Sequence, residues 1–315
     1  MALGQNKREQ GYDMLKEKLL DFLVIGATKC GTTALFQYLR NHPEIYMPPE
    51  KEVGFFSNEE WFARGWPQFC EEFFSKAPME ALWGKVTPQY MAYSHVPERI
   101  FKQMPRVKLI AILRNPVDRA FSHYRMAVRL GAEKRSFADV FSEERKDVTS
   151  INFLTLGQYG RILSRFLEYF PREQLLVLFA DDLKRVPKSV LDSVFGYLGV
   201  ERHYTPKNLD KRYHQGGMKQ RFPWLVPTAR HIYPLWWFWK AIPERRRRVV
   251  RFWFLTQANT VPEAPVDLDS NLRCQLVNFY QEDVLLLEHL LRKAVPWSEF
   301  HGQAAIATPT SGNDH

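Results

Sequence analysis

The chain has 315 residues, 45% of them hydrophobic, a formal net charge of +9 and three cysteines. Cys30, Cys70 and Cys274 are too few and too widely spaced for a disulfide framework or a cysteine metal site, which fits a reducing compartment with the cytosol as default. The positive charge calls for an acidic partner, such as nucleic acid, anionic lipid or a multiply phosphorylated small molecule, and does not choose among them.

Residues 1–20 read as a short amphipathic helical extension. They lack the apolar core of a secretory signal, and no stretch of the chain approaches the roughly twenty apolar residues of a membrane span. Residues 21–40, DFLVIGATKCGTTALFQYLR, join a short apolar run, Phe22 to Ile25, to a loop bounded by Gly26 and Gly31 and then to a helical pattern. Strand, loop and helix in this order present unpaired helix N–H groups to an anion, with Thr32 and Thr33 at the helix start. Four residues separate the two glycines, as in a Walker A loop, but Thr32 stands where a P-loop nucleotidase needs lysine; the lysine lies inside the loop, at Lys29. Cys30 beside it reads as a small packing residue rather than a reactive thiol.

The stretch NHPEIYMPPEKEVGFFS reads as a loop with a short strand near the phosphate loop. Residues 59–76 are expected to form one helix with Trp61, Phe62, Trp66, Phe69, Phe73 and Phe74 as an apolar packing face. Strands follow at Leu82 to Val86, Val107 to Leu113 and Gln174 to Phe179, with helices over His95 to Met104, from Pro116 to Gly131, over Gly160 to Tyr169 and from about Pro187 to Leu198. Alternating strands and helices argue for a parallel sheet, whose carboxyl ends would bring Arg114 and Ser122 to the edge holding the loop at 26–33.

Residues 222–254 differ in composition, with five of the nine tryptophans and the run Arg245 to Arg248. Helices packed over the site are favoured there over a membrane-touching element, because Pro234 and Pro243 interrupt a short apolar stretch. Residues 271–292 read as a C-terminal helix, and 301–315 as a disordered tail.

Together these motifs resemble the family of sulfotransferases that use 3′-phosphoadenosine 5′-phosphosulfate (PAPS), in the branch similar to heparan sulfate and bacterial small-molecule sulfotransferases. The similarity runs over about residues 20–225. GATKCGTT resembles the 5′-phosphosulfate loop, which implies that Lys29, Cys30, Gly31, Thr32 and Thr33 hold the 5′-phosphate and transferring sulfuryl group. LRNPVDRAFSHY resembles the 3′-phosphate motif and implies Arg114 and Ser122 for that phosphate. KEVGFFS resembles the element whose glutamate is the general base, here Glu52. Many glycan-modifying relatives carry histidine two residues further on, where this chain has Gly54. GKVTPQY resembles the strand whose lysine and Thr-Pro turn face the acceptor, here Lys85, Thr87 and Pro88, with nearby His95 as the rival base. GGMKQRFP resembles the basic cofactor-closing loop, with Lys219 and Arg221.

The expected fold is α/β: a P-loop-like central parallel sheet flanked by helices, with a sulfotransferase domain over 21–300 that includes a helical, aromatic-rich elaboration at 222–260. The expected reaction is sulfuryl transfer from PAPS to a hydroxyl or amine of a small-molecule acceptor in the cytosol, with a saccharide or lipid acceptor behind it, releasing adenosine 3′,5′-bisphosphate. No metal is expected, since Lys and Arg neutralise this donor. Two rivals stand beside it. One is a P-loop small-molecule kinase using ATP-Mg, disfavoured by Thr32. The other is a non-catalytic basic module for membrane or nucleic acid, disfavoured by the dispersed charge.

Overall fold

The computed structural model describes residues 18–209, 213, 218–220, 260–262 and 268–301. Its centre is a sheet of five parallel strands: β1 (Phe22–Gly26), β2 (Ile45–Tyr46), β3 (Leu82–Val86), β4 (Lys108–Leu113) and β5 (Leu175–Phe179), in the order β2-β3-β1-β4-β5. β1 and β4 are apolar almost throughout and almost wholly buried, as strands covered on both faces must be. A short two-stranded antiparallel sheet, β6 (Met218–Gln220) with β7 (Thr260–Pro262), stands apart from it.

After β1 the chain turns to one side of the sheet, toward β2 and β3; after β4 it turns to the other, toward β5. The carboxyl ends of β1 and β4 therefore flank a topological switch point, the place where open α/β sheets bind ligands. The helices that follow these two strands are α1 (Thr32–Leu39) and, later in the chain, α5 (Pro116–Arg129).

The expected helix over residues 59–76 is two, α2 (Glu59–Arg64) and α3 (Trp66–Phe74). The break is at Gly65, which adopts φ 83° and ψ 163°, outside any helical conformation. The kink swings the aromatic face into a cluster with Phe55, so Trp66, Phe69, Phe73 and Phe74 are buried while Trp61 and Phe62 are partly so. α4 (Val96–Gln103) starts one residue later than expected, with His95 at its N-cap. α6 (Phe137–Glu144), α7 (Tyr159–Leu167), α8 (Ala180–Arg185) and α9 (Pro187–Leu198) precede the long α10 (Ser270–Leu291). The N-terminal extension up to residue 17, the aromatic and basic segment at 221–259, and residues 302–315 lie outside the described residues.

Candidate active site

The loop after β1 is built to receive an anion. Gly31 is the N-cap of α1 at φ 95°, a left-handed conformation that suits glycine. No side chain caps that helix start and no acidic residue lies in its first turn, so its N–H groups and the positive end of its dipole stay available. The loop is tied to β4 by a hydrogen bond from Ala27 N to Ile112 O at 2.8 Å.

Lys29 also has a left-handed backbone, φ 70°, unusual for a residue with a Cβ. Its Nζ lies 3.5 Å from Met126 Sδ on α5. Burial, then the positive charges of Arg129 and Arg114, lower its pKa to about 8. A partly buried lysine, acted on by two further positive charges, thus stands beside an uncapped helix start, a setting that suits an anion such as a phosphosulfate.

Arg114, at the carboxyl end of β4, is half-buried and pairs with Asp118 Oδ2 at 3.7 Å. Ser122 lies about two turns further along α5, on the face shared by Arg119, His123 and Met126. The Cys30 thiol is fully buried, 3.4 Å from the Tyr159 hydroxyl, so this side chain packs into the core. Tyr159 donates to the Arg114 carbonyl oxygen at 3.0 Å.

On the β3 side, the loop carrying Glu52 is pinned from beneath. Glu52 N donates to Val86 O at 3.0 Å, and Thr87 Oγ1 donates to Val53 O at 3.3 Å. Glu52 has φ 69°, the second left-handed non-glycine residue at the site. Lys51 Nζ donates both to Thr33 Oγ1, at 3.0 Å, and to the Glu52 carboxylate, linking the start of α1 to the candidate base.

Lys85 does not face this opening. It is 1% exposed, with its ammonium bonded to the Glu50 carbonyl oxygen and 5.0 Å from the centre of the Phe73 ring. Burial lowers its pKa to about 7. It supports the loop that presents Glu52. His95 is turned elsewhere again, with its ring centroid 5.6 Å from that of Tyr93. It lies near Glu59, which a hydrogen bond from Arg99 and then the Arg99 charge hold below the usual carboxylate range. Glu52, by contrast, is one of the charges acting on Lys29.

A Cβ on Gly54 would come 2.3 Å from Ser57 Oγ and 3.6 Å from Thr87 Cγ2, so the Ser57 hydroxyl fills the space a side chain at 54 would use. Lys219 lies in β6 opposite Val261, and Arg221 falls outside the described residues. Among the described residues no group of three His, Cys, Asp or Glu could hold a metal ion, and no helix is long and apolar enough to cross a membrane.

Tyr159, Arg119, His123 and Met126 are site neighbours to which the motifs assign no role. Burial, then Arg119 and Lys29, lower the pKa of His123 to about 4, and its Nδ1 is buried without a partner among the described residues. The helical repeat that runs from Arg119 through Ser122 could have pointed to His123 and Met126. No local signal marks Tyr159.

A family model described as "Sulfotransferase domain" matches residues 19–221. The human bifunctional heparan sulfate N-deacetylase/N-sulfotransferase 3 is 36% identical over 208 residues, which is 60% of this chain and 24% of that protein. The mouse heparan sulfate glucosamine 3-O-sulfotransferase 5 is 29% identical over 213 residues, 65% of this chain and 61% of that protein. The chain thus spans less than two thirds of these relatives, and only about a quarter of the first. Among solved structures, a sulfotransferase from Alicyclobacillus acidocaldarius shares the fold, with TM-score 0.62 and 24% identity over 90% of this chain and 99% of that one.

Proposed function

Because the chain belongs to the sulfotransferase family, we propose that it transfers a sulfuryl group from PAPS to a hydroxyl or amine of a small acceptor and releases adenosine 3′,5′-bisphosphate. The observation that carries this reading is the uncapped start of α1 next to the Lys29 loop, with Arg114 at the end of β4, at the switch point between β1 and β4. Lys29 and the first N–H groups of α1 would hold the 5′-phosphate; Arg114 and Ser122 would hold the 3′-phosphate.

When bound, PAPS supplies the sulfuryl group and a phosphate leaving group. Glu52 accepts the proton of the acceptor as its oxygen or nitrogen bonds to sulfur. Lys29 neutralises the charge that returns to the phosphate as the bridging S–O bond breaks. Lys51, bonded to both Thr33 and Glu52, orients the base relative to the phosphate loop. Lys85 acts one step back, through the Glu50 carbonyl.

A small acceptor is the first reading because Gly54 stands where many glycan-modifying relatives carry histidine, and the Ser57 hydroxyl occupies that space. A saccharide is the second reading, favoured by the relatives whose names specify heparan sulfate. The test is incubation of the chain with PAPS and a panel of hydroxylated metabolites, amines and heparan-type saccharides, read by release of adenosine 3′,5′-bisphosphate and by the mass gain of one sulfuryl group. Tight binding of ATP-Mg with none of the bisphosphate would overturn the proposal.

A further inference from the structure

The family match ends at residue 221, yet a side chain from α10 sets the electrostatics around Arg114. Asp118 receives two guanidinium groups. Arg114 Nη2 is 3.7 Å from one of its oxygens, and Arg273 Nη1 is 3.0 Å from the other. Arg273 is held in turn by Glu299, through Nε at 2.8 Å and Nη2 at 3.2 Å. Glu299 Oε1 also accepts from Asn115 Nδ2 at 2.5 Å, and Asn115 caps α5 by accepting from Val117 N at 2.9 Å and Asp118 N at 3.3 Å.

The cluster therefore balances two arginines against two carboxylates, and Arg273 takes the shorter contact with Asp118. Without Arg273, Asp118 would keep Arg114 as its one guanidinium partner among these groups. Asp118, one helical turn from it, would then compete directly with any anion for the same guanidinium.

We propose that Arg273 is a positioning residue for the donor: by engaging Asp118 and Glu299 it leaves the Arg114 guanidinium available to a 3′-phosphate. This rests on the reading that Arg114 receives that phosphate.

Calorimetry on the full chain with adenosine 3′,5′-bisphosphate and with adenosine 5′-phosphate separates the two ideas. The unmodified chain should prefer the bisphosphate, and Arg114→Ala should erase the preference; a chain with no preference would sink the Arg114 reading itself. Given the preference, Arg273→Ala should weaken the bisphosphate about tenfold while leaving the monophosphate unchanged. The double variant Arg273→Ala with Asp118→Asn should recover most of the loss, because the competing carboxylate is gone. If Arg273→Ala does not fold, Arg273→Gln serves the same comparison. Equal weakening of both ligands, unchanged bisphosphate affinity, or no recovery in the double variant each overturns the proposal.

Discussion

The Tyr159 hydroxyl donates to the Arg114 carbonyl oxygen at 3.0 Å and itself lies 3.4 Å from Cys30 Sγ, so one fully buried side chain of α7 joins the end of β4 to the phosphate loop. Tyr159→Phe removes the donor and leaves a buried carbonyl unsatisfied, a loss of about 1–3 kcal/mol. Urea unfolding should register that loss, and calorimetry should show weaker binding of adenosine 3′,5′-bisphosphate, because the spacing of the two phosphate sites is no longer fixed. Lower stability with unchanged binding would make the bond structural only.

Under the proposed function, Lys29 should set a pH dependence of donor use. With its pKa lowered to about 8 by burial, Arg129 and Arg114, the ammonium of the free protein is lost as pH rises through 8. Reported as kcat/KM for PAPS, which follows free-enzyme ionisation, activity should fall on the alkaline side of pH 8. Lys29→Arg should remove that limb at a reduced plateau, and Lys29→Ala should abolish transfer in a folded protein. An alkaline limb that survives Lys29→Arg would assign it to another group.

Glu52 combines a catalytic assignment with a left-handed backbone at φ 69°, a conformation that costs a residue with a Cβ roughly 1–2 kcal/mol. Glu52→Gln should spare bisphosphate binding and remove turnover. Glu52→Gly relieves the backbone cost while losing only an exposed pair with Lys51, so it should be inactive yet unfold at no lower temperature than the parent. Full turnover by Glu52→Gln would move the base elsewhere, and His95→Ala would then be tested.

The strand, loop and helix elements that carry the candidate donor residues were legible because each is local. The glycine-bounded loop, the halt of the apolar run at Arg114 and the helical period past Pro116 are all contained within one strand–turn–helix unit. The break at Gly65 was not, since the aromatic period runs on through it and only a tertiary cluster with Phe55 requires the kink. Lys85 read as an acceptor contact because its motif matches. A five-residue strand does not reveal which face meets Phe69 and Phe73, and that packing turns the side chain inward. Tyr159, Arg273 and Asp283 act through contacts more than a hundred residues apart in the chain, for which no spacing rule exists.

Buried Lys85 should make stability rise with pH. Its native pKa is lowered to about 7, below the unfolded value of 10.5, so between those values the unfolded chain holds a proton that the native one does not. Stability is therefore gained as pH rises above 7. Lys85→Met should stabilise the protein at pH 6, and that advantage should shrink by pH 9. The same variant should lower turnover by loosening the Glu50 carbonyl and the loop that presents Glu52. A stability difference from the parent that is flat between pH 6 and pH 9 would show that this lysine does not titrate in the native state.

Asp283 predicts the opposite slope. It sits on α10, 4% exposed, and its two oxygens accept from Gly160 N and Arg161 N, each at 2.9 Å, at the start of the helix that begins with Tyr159. Burial raises its pKa from 3.8 to about 6 against the opposing pull of these two N–H groups. Between those values the native state holds a proton that the unfolded chain does not, so stability from this group increases as pH falls through 6 and is complete below about 4. The shift corresponds to at most about 3 kcal/mol. Asp283→Asn should erase this dependence, so the difference in unfolding free energy between the parent and the variant should move in the parent's favour from pH 7 to pH 5. Asp283→Ala strips both acceptors from the α7 start and should cost about 1–2 kcal/mol at neutral pH, in the range of a lost helix cap. Because Tyr159 lies at that start, Asp283→Ala should also weaken bisphosphate binding, and an unchanged affinity would uncouple α10 from the phosphate loop by this route.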